Sequence, residues 1–268
     1  MLKILSKQGE KAVYRFNNGW QAMGAVARPK DTRTETQILA TINELLEKSP
    51  EIKKFAGDLP KMDKKYLGLV ADTLELASHR EMLPTAINMN HVVPQRGKSL
   101  VQALIQAFPK ASKENPAALD FAQEVIDNTD TITSKYFLGN LIEIIDNPAY
   151  AKHFEVSKPL VKDIAESTLN GGYTMDYSKQ KDFMDMIQTF VNPQIAPERI
   201  GLFSKLSKIT DGLDGNYPLY ADRFVNSTAP LNQVEDNLNV VGQVAQLAEK
   251  QGKQINLVDF VTKNVNLK

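Results

Sequence analysis

The hydrophobic pattern between Asn115 and Pro148 predicts two helices joined by a short polar break. Asn115 suits the N-cap of the first helix, because its side-chain oxygen can accept a hydrogen bond from an unsatisfied N–H of the first turn. Pro116 suits the first helical position, where no donor is needed. An apolar stripe then follows at helical spacing along one face: Leu119, Ala122, Val125 and Ile126.

The second of these helices is apolar on nearly all sides, and Thr133 or Ser134 is its expected N-cap. Its apolar positions are Phe137, Leu138, Leu141, Ile142, Ile144 and Ile145. A helix of this kind is typically buried on more than one side. Asn147-Pro148 is expected to end it, because the residue before a proline disfavours the α region.

The prolines indicate that this two-helix unit recurs. Pro84, Pro116 and Pro148 follow one another at intervals of 32 residues, whereas the interval from Pro148 to Pro197 is 49 residues. Two-helix units of this length are typical of stacked helical repeats, although the signature residues of the well-known repeat classes are absent. The sequence therefore predicts an all-α fold of stacked helical hairpins, either an α-solenoid-like stack or an irregular multi-helical domain.

Helix-start signals divide the rest of the chain into further helices. Thr34 and Gln37 form a capping box, and Pro230 opens the longest apolar pattern, which ends near Gly252. The pattern predicts one helix over Leu100 to Phe108, a short helix over Ala149 to Phe154, and another helix that Ser157 and Pro159 start. Other helices are expected to begin at or just after Pro50, Asp63, Pro84, Pro197, Tyr217 and Asn256, and a further helix is marked by Phe183, Ile187 and Phe190.

Residues 11–27 carry the clearest β signal. Asn18-Gly19 tolerates the positive φ of a tight turn, and the flanking segments have strand-like composition. We predict a short β-hairpin that caps one end of the helices, with Trp20 buried beneath it; the alternative places Trp20 in a binding surface. The predicted organisation is a hairpin cap with a linker over residues 1–32, followed by an all-helical body over residues 33–268.

The composition is that of an ordinary soluble protein. The chain has 268 residues, of which 42% are hydrophobic, and its 32 basic residues balance 32 acidic ones. Proteins that bind nucleic acid usually show a basic excess or patch. The charge balance therefore counts against a nucleic-acid partner.

The absence of cysteine excludes disulfide scaffolds, thiolate zinc sites and cysteine nucleophiles. The three histidines, His79, His91 and His153, do not share the spacing of zinc ligands, so no metal and no cofactor is predicted. The N-terminus lacks the apolar segment of a signal peptide, and no apolar run approaches the roughly 18 residues of a membrane span. We therefore expect a cytoplasmic protein without a membrane partner.

A possible anion site lies at Arg96 and Lys98, before the helix that starts near Ser99. The Gly-Lys-Ser triplet here is similar to the end of a phosphate-binding loop, but Val92 stands where that loop needs its first glycine. Arg96 and Lys98 could still hold an anion at the helix N-terminus. The alternative is a solvated turn. His91, nearby in the chain, is the best candidate for acid–base chemistry.

An acidic face on the first helix of the organising unit is the other candidate site. Asp120, Glu124 and Asp127 follow helical spacing, away from the apolar stripe, in a segment with a negative net charge. This face can receive a basic partner. The alternative is an ordinary solvated helix face.

The function predicted from these features is a non-enzymatic protein-interaction scaffold or adaptor of helical-repeat type, with another protein as its partner. Stacked helical hairpins form the long concave surfaces that such proteins use. One alternative is an enzyme whose helical pocket acts on an anionic small molecule through His91 with Arg96 or Lys98. Another is a self-associating structural protein.

Overall fold

A computed structural model describes residues 33–78, 92–93, 98–129, 131–168, 177–209 and 229–252. Within these ranges the chain is mostly helical, which confirms the all-α class. The ten α-helices are α1 (Glu35–Glu47), α2 (Pro50–Lys53), α3 (Leu67–Ser78), α4 (Leu100–Glu114), α5 (Pro116–Asn128), α6 (Thr131–Leu141), α7 (Ala151–Thr168), α8 (Tyr177–Phe190), α9 (Pro197–Ile209) and α10 (Leu231–Lys250).

Shorter elements connect these helices. Single turns of 3-10 helix span Leu59–Lys61, Lys64–Tyr66 and Pro148–Tyr150, and two residues of β1 (Val92–Val93) pair antiparallel with β2 (Lys98–Ser99). The β-hairpin predicted over residues 11–27, the helices predicted after Pro84, Tyr217 and Asn256, and the 1–32 boundary lie outside the described residues. None of the described helices is long and apolar enough to cross a membrane.

Several helix ends follow the capping signals of the sequence. Thr34 accepts a hydrogen bond from the Gln37 N–H at 3.3 Å, while the Gln37 side chain accepts from the Thr34 N–H at 2.8 Å, so the predicted capping box is present. At the other end of the chain, Gly252 has φ +61° just after α10. Only glycine adopts this left-handed conformation without strain, and it ends the helix as expected.

The predicted breaks at the internal prolines are wrong. The helix predicted to end at Phe108 continues through Pro109 to the end of α4. The two helices predicted over Ala149 to Phe154 and from Ser157 onward form the single helix α7, with Pro159 inside it. A proline inside a helix costs about 3 kcal/mol or more. Here buried side chains flank each proline on both sides in the chain, and their packing outweighs that cost: Phe108, Ala111, Ser157 and Leu160.

The second helix of the organising unit also differs from its prediction. It begins at Thr131 rather than at Thr133 or Ser134, and it ends at Leu141 instead of reaching Asn147. The Ser134 hydroxyl does not cap the helix but bonds the Thr129 hydroxyl at 2.8 Å, and both residues are buried. The residues after Leu141 continue as turns, which still bury Ile142 and Ile145.

The helices pack in a regular order. Each of α1, α3, α5 and α7 contacts the next odd-numbered helix, and α6 contacts α8. The most extensive contact joins α5 to α7, and α5 also touches α3, α4 and α6. The α5 residues that become fully buried include the whole predicted stripe and two more positions: Ala118, Leu119, Phe121, Ala122, Val125 and Ile126. Therefore α5, the helix predicted to have one apolar face, is the central helix of the packing.

Phe121 lies at the centre of this packing. Its ring centroid is 5.7 Å from that of Phe137 on α6 and 5.3 Å from that of Phe154 on α7. Such aromatic pairs contribute stability beyond the area that they bury. One side chain of α5 thus connects two helices that follow it in the chain.

A buried hydrogen bond connects the two Asn-Pro pairs. The Asn115 side chain, which is fully buried, donates from Nδ2 to the Asn147 carbonyl at 2.9 Å. The predicted N-cap bond of Asn115 is absent, and the Oδ1 atom that would accept it is buried without a hydrogen-bond partner among the described residues. Asn147 does act as a cap, since its Oδ1 accepts from the Ala149 N–H at 3.0 Å. Asn115 and Asn147, which are 32 residues apart in the sequence, are thus in direct contact.

The central position of Phe121 can be tested by truncation. We expect Phe121→Ala to lower the free energy of unfolding by about 3–5 kcal/mol, because it leaves a cavity among three helices. Urea denaturation followed by circular dichroism measures the change. Val240→Ala is the control, and since Val240 is 52% exposed, it should cost less than about 0.5 kcal/mol. A loss below about 1 kcal/mol at Phe121 would contradict this account.

The Asn115 bond makes a second prediction. Asn115→Ala should destabilise the protein by about 1–3 kcal/mol, because it leaves the Asn147 carbonyl without its donor. Asn115→Asp should cost more, since an aspartate cannot donate in its ionised form and would bury a charge beside a carbonyl oxygen. Thermal and urea unfolding of both variants give the comparison. Equal stability of the wild type and the aspartate variant would show that this bond does not matter.

Candidate functional site

A groove of about 330 Å³ lies between α6 and α8, with α7 behind it. Four lining residues come from α6 or the turns after it, one comes from α7, and the other five come from α8 and the two residues after it. They are Phe137, Asn140, Leu141, Ile144, Phe154, Met184, Ile187, Gln188, Val191 and Asn192. The volume falls at the lower end of the roughly 300–1,000 Å³ that is usual for ligand sites.

Helical spacing explains why these residues meet. Phe137, Asn140 and Leu141 are three and four residues apart, and so they share one face of α6. Met184, Ile187 and Gln188 repeat the same spacing on α8. Since α6 packs against α8, the two faces lie opposite each other. The sequence contains this signal on each helix, but no local pattern indicates which helices become neighbours.

The groove is apolar at its floor and polar but uncharged at its rim. Phe137, Leu141, Phe154 and Ile187 are buried, whereas the rim carries the three carboxamides of Asn140, Gln188 and Asn192. Among the described residues that line the groove, none has an ionisable side chain. A carboxamide both donates and accepts hydrogen bonds, as a peptide group does.

Val191 and Asn192, the two lining residues that follow α8, form what we call the far wall of the groove. Two buried side chains of α7 bond the chain on either side of this wall. Ser157 donates its hydroxyl to the Phe190 carbonyl at 2.9 Å, and His153 donates from Nε2 to the Ile195 carbonyl at 2.7 Å. A carbonyl can only accept, and therefore Nε2 carries the proton. The His153 Nδ1 atom is buried and has no hydrogen-bond partner among the described residues. Sequence reasoning gave His153 no role, and the structure makes it a structural donor.

The predicted acidic face lies on α5, outside the groove, and its three side chains are half-buried. Asp120 is 3.6 Å from the Lys65 ammonium, and Glu124 accepts from the Asn128 side chain at 2.9 Å. Asp127 accepts from the Gln123 side chain at 2.9 Å. The structure brings the three together on one helix, and each also has a neighbour within the chain. Their binding of a basic partner stays a prediction.

Gln123 extends the acidic face to a buried carboxylate on α3. Asp72, whose side chain is 7% exposed, accepts from the Arg33 guanidinium at 3.0 Å and from Gln123 at 3.3 Å. Arg33 also lies 3.6 Å from Glu75. A buried carboxylate is stable only when it is paired and hydrogen-bonded. Sequence reasoning missed Asp72, because it sits within a mostly apolar helix and gains its partners only in the folded chain.

The predicted anion site is described in part. Lys98 has its backbone in β2, where it pairs with Val93 rather than in a turn, and α4 follows directly. Arg96 and His91 lie outside the described residues, and anion binding by Arg96 and Lys98 stays a prediction. Within the described ranges, no group of three His, Asp or Glu side chains is arranged to hold a metal ion.

Comparisons of the chain with protein-family models, with curated proteins and with solved structures found no match.

The acidic face can be neutralised while each side chain keeps one acceptor oxygen. In the combined variant Asp120→Asn, Glu124→Gln and Asp127→Asn, each amide oxygen can still accept a hydrogen bond, and the negative charge is lost. We expect the free energy of unfolding to fall by less than about 1 kcal/mol from the exposed Asp120–Lys65 pair. If a basic partner binds here, wild-type protein should bind a Lys-rich decapeptide at low salt, and the variant should not.

Fluorescence anisotropy at two salt concentrations provides the measurement, because screening weakens interactions between exposed charges. If the variant unfolds normally and binds the decapeptide as the wild type does, the acidic face does not bind basic partners.

Proposed function

We propose that this protein is a non-enzymatic interaction adaptor whose α6–α8 groove binds a short, neutral, extended segment of a partner protein. The observation that carries the proposal is the lining of the groove, an apolar floor with uncharged carboxamides at its rim. The floor accepts an apolar side chain, and the carboxamides match the N–H and C=O groups of an extended backbone. Among the described residues of this lining, none offers an ionisable group for acid–base or nucleophilic chemistry.

The size of the groove favours an extended segment over a helix. About 330 Å³ holds only one or two large side chains, whereas a docked helix inserts three or four anchors along its length. A charged ligand would lose its hydration at the apolar floor without gaining an opposite charge. The groove therefore suits a neutral segment with one bulky apolar residue.

The order of helix packing supports the helical-repeat form of this proposal. Contacts between successive odd-numbered helices, and between α6 and α8, are those expected where two-helix units stack upon one another. In the proposed array, the α6–α8 groove would lie between two adjacent units. We propose the cytoplasm as the compartment.

A peptide library tests the proposal. Acetylated and amidated hexapeptides with a fixed central Leu or Phe and otherwise neutral residues are screened by fluorescence anisotropy. The best hexapeptide should bind the wild type saturably. Gln188→Trp, which places a large ring at the exposed rim of the groove, should weaken binding at least tenfold, equivalent to about 1.4 kcal/mol.

Gln243→Trp is the matched control, because Gln243 is also an exposed glutamine on a helix but does not line the groove. It should bind the hexapeptide as the wild type does. If no hexapeptide binds, or if Gln188→Trp leaves binding unchanged, the proposal fails. If an apolar dye then binds the wild type and Gln243→Trp but not Gln188→Trp, the groove is a small-molecule site. If the wild type and Gln243→Trp form a dimer but Gln188→Trp does not, the groove mediates self-association.

A further inference from the structure

The far wall of the groove is built from residues just beyond the end of a helix. α8 ends at Phe190, and Val191 and Asn192 follow it as lining residues. The last carbonyls of a helix have no partner within that helix. The N–H groups of Val191 and Asn192 donate to the Ile187 and Thr189 carbonyls at 3.2 Å, and side-chain groups from another helix add two further bonds nearby.

His153 and Ser157 supply those groups. They are four residues apart on α7 and therefore share one face of that helix. Their bonds to the Ile195 and Phe190 carbonyls lie on either side of Val191 and Asn192 along the chain. Both side chains are buried, with 6% of His153 and 1% of Ser157 exposed. The wall is thus fixed at two points from the interior.

A third bond fixes the orientation of the Asn192 side chain. The Asn192 Oδ1 atom accepts from the Gln194 N–H at 3.0 Å. This bond favours one orientation of the carboxamide, and within that side chain only the Nδ2 group can donate to a ligand. Asn140 and Gln188 differ, since both are exposed and lie on regular helix. Their carboxamides can rotate to offer either a donor or an acceptor.

We propose that Asn192 is the specificity-determining residue of the groove and donates from Nδ2 to a main-chain carbonyl of the bound segment. We assign His153 and Ser157 as positioning residues that hold Asn192 for this contact. The inference rests on the proposed function and goes beyond it, because it states which ligand group is recognised and where. A site arranged to bond one ligand group discriminates strongly against ligands that lack it.

Asn192→Asp tests the donor directly. An aspartate oxygen can still accept from the Gln194 N–H, and so the local turn is kept, but the ionised side chain offers no donor. The probe is the best-binding hexapeptide, and calorimetry measures its affinity. We expect Asn192→Asp to weaken binding at least about tenfold, with little change in melting temperature.

Asn140→Asp is the matched control, because it adds the same charge to the same rim at a carboxamide that is free to rotate. It should weaken binding less than about threefold, since no fixed donor is lost. If both aspartate variants weaken binding equally, the effect is one of charge, and the assignment of Asn192 is wrong. If Asn192→Asp binds as tightly as the wild type while Gln188→Trp does not, the groove binds peptide but Asn192 does not select it.

The positioning role is tested at His153. In His153→Gln the side-chain amide can donate to the Ile195 carbonyl in place of Nε2, whereas His153→Phe keeps a ring of similar size without a donor. His153→Phe should weaken binding at least about fivefold when measured well below its melting temperature, and His153→Gln should restore most of the affinity. A purely structural role would lower the melting temperature of His153→Phe without changing affinity. That result would overturn the assignment of His153.

Discussion

The ring of Phe121 lies between Phe137 on α6 and Phe154 on α7, and the rest of the structure depends on this contact. Phe137 and Phe154 also line the groove, so the core packing of α5 supports the groove from behind. Whereas one face of α5 is buried in the core, Asp120 and its acidic neighbours on another face must stay in contact with water or with partners. One helix therefore joins the core, the groove and the acidic face.

Local signals in the sequence predict much of the fold. The Thr34 capping box, the apolar stripe of α5 and the stop at Gly252 are all present, because each depends on residues within a few positions of one another. The errors arise where distant contacts decide. Pro109 and Pro159 are tolerated inside helices because tertiary packing outweighs their local cost. The Asn115 side chain makes no cap bond and donates to the Asn147 carbonyl instead.

In the candidate groove, too, some features follow from the local sequence and others depend on tertiary contacts. The apolar and carboxamide positions of α6 and α8 can be read from the sequence, but their pairing depends on how α7 and α5 pack behind them. Asn192 gives no signal in the sequence, since its proposed role depends on the Gln194 N–H and on two side chains of α7 more than 30 residues away. Spacing along one helix thus predicts the surfaces, and tertiary contacts decide which of them become a site.

Methyl NMR of the complex with the best hexapeptide tests the central claim, that the groove is the binding surface, most directly. The account predicts saturable shifts for the methyl groups of Leu141, Ile144, Met184, Ile187 and Val191, which line the groove. The methyl groups of Val70 on α3 and Leu238 on α10, which are fully buried elsewhere, should not move. Shifts that are largest outside the groove, or the same throughout the helices, would contradict the claim.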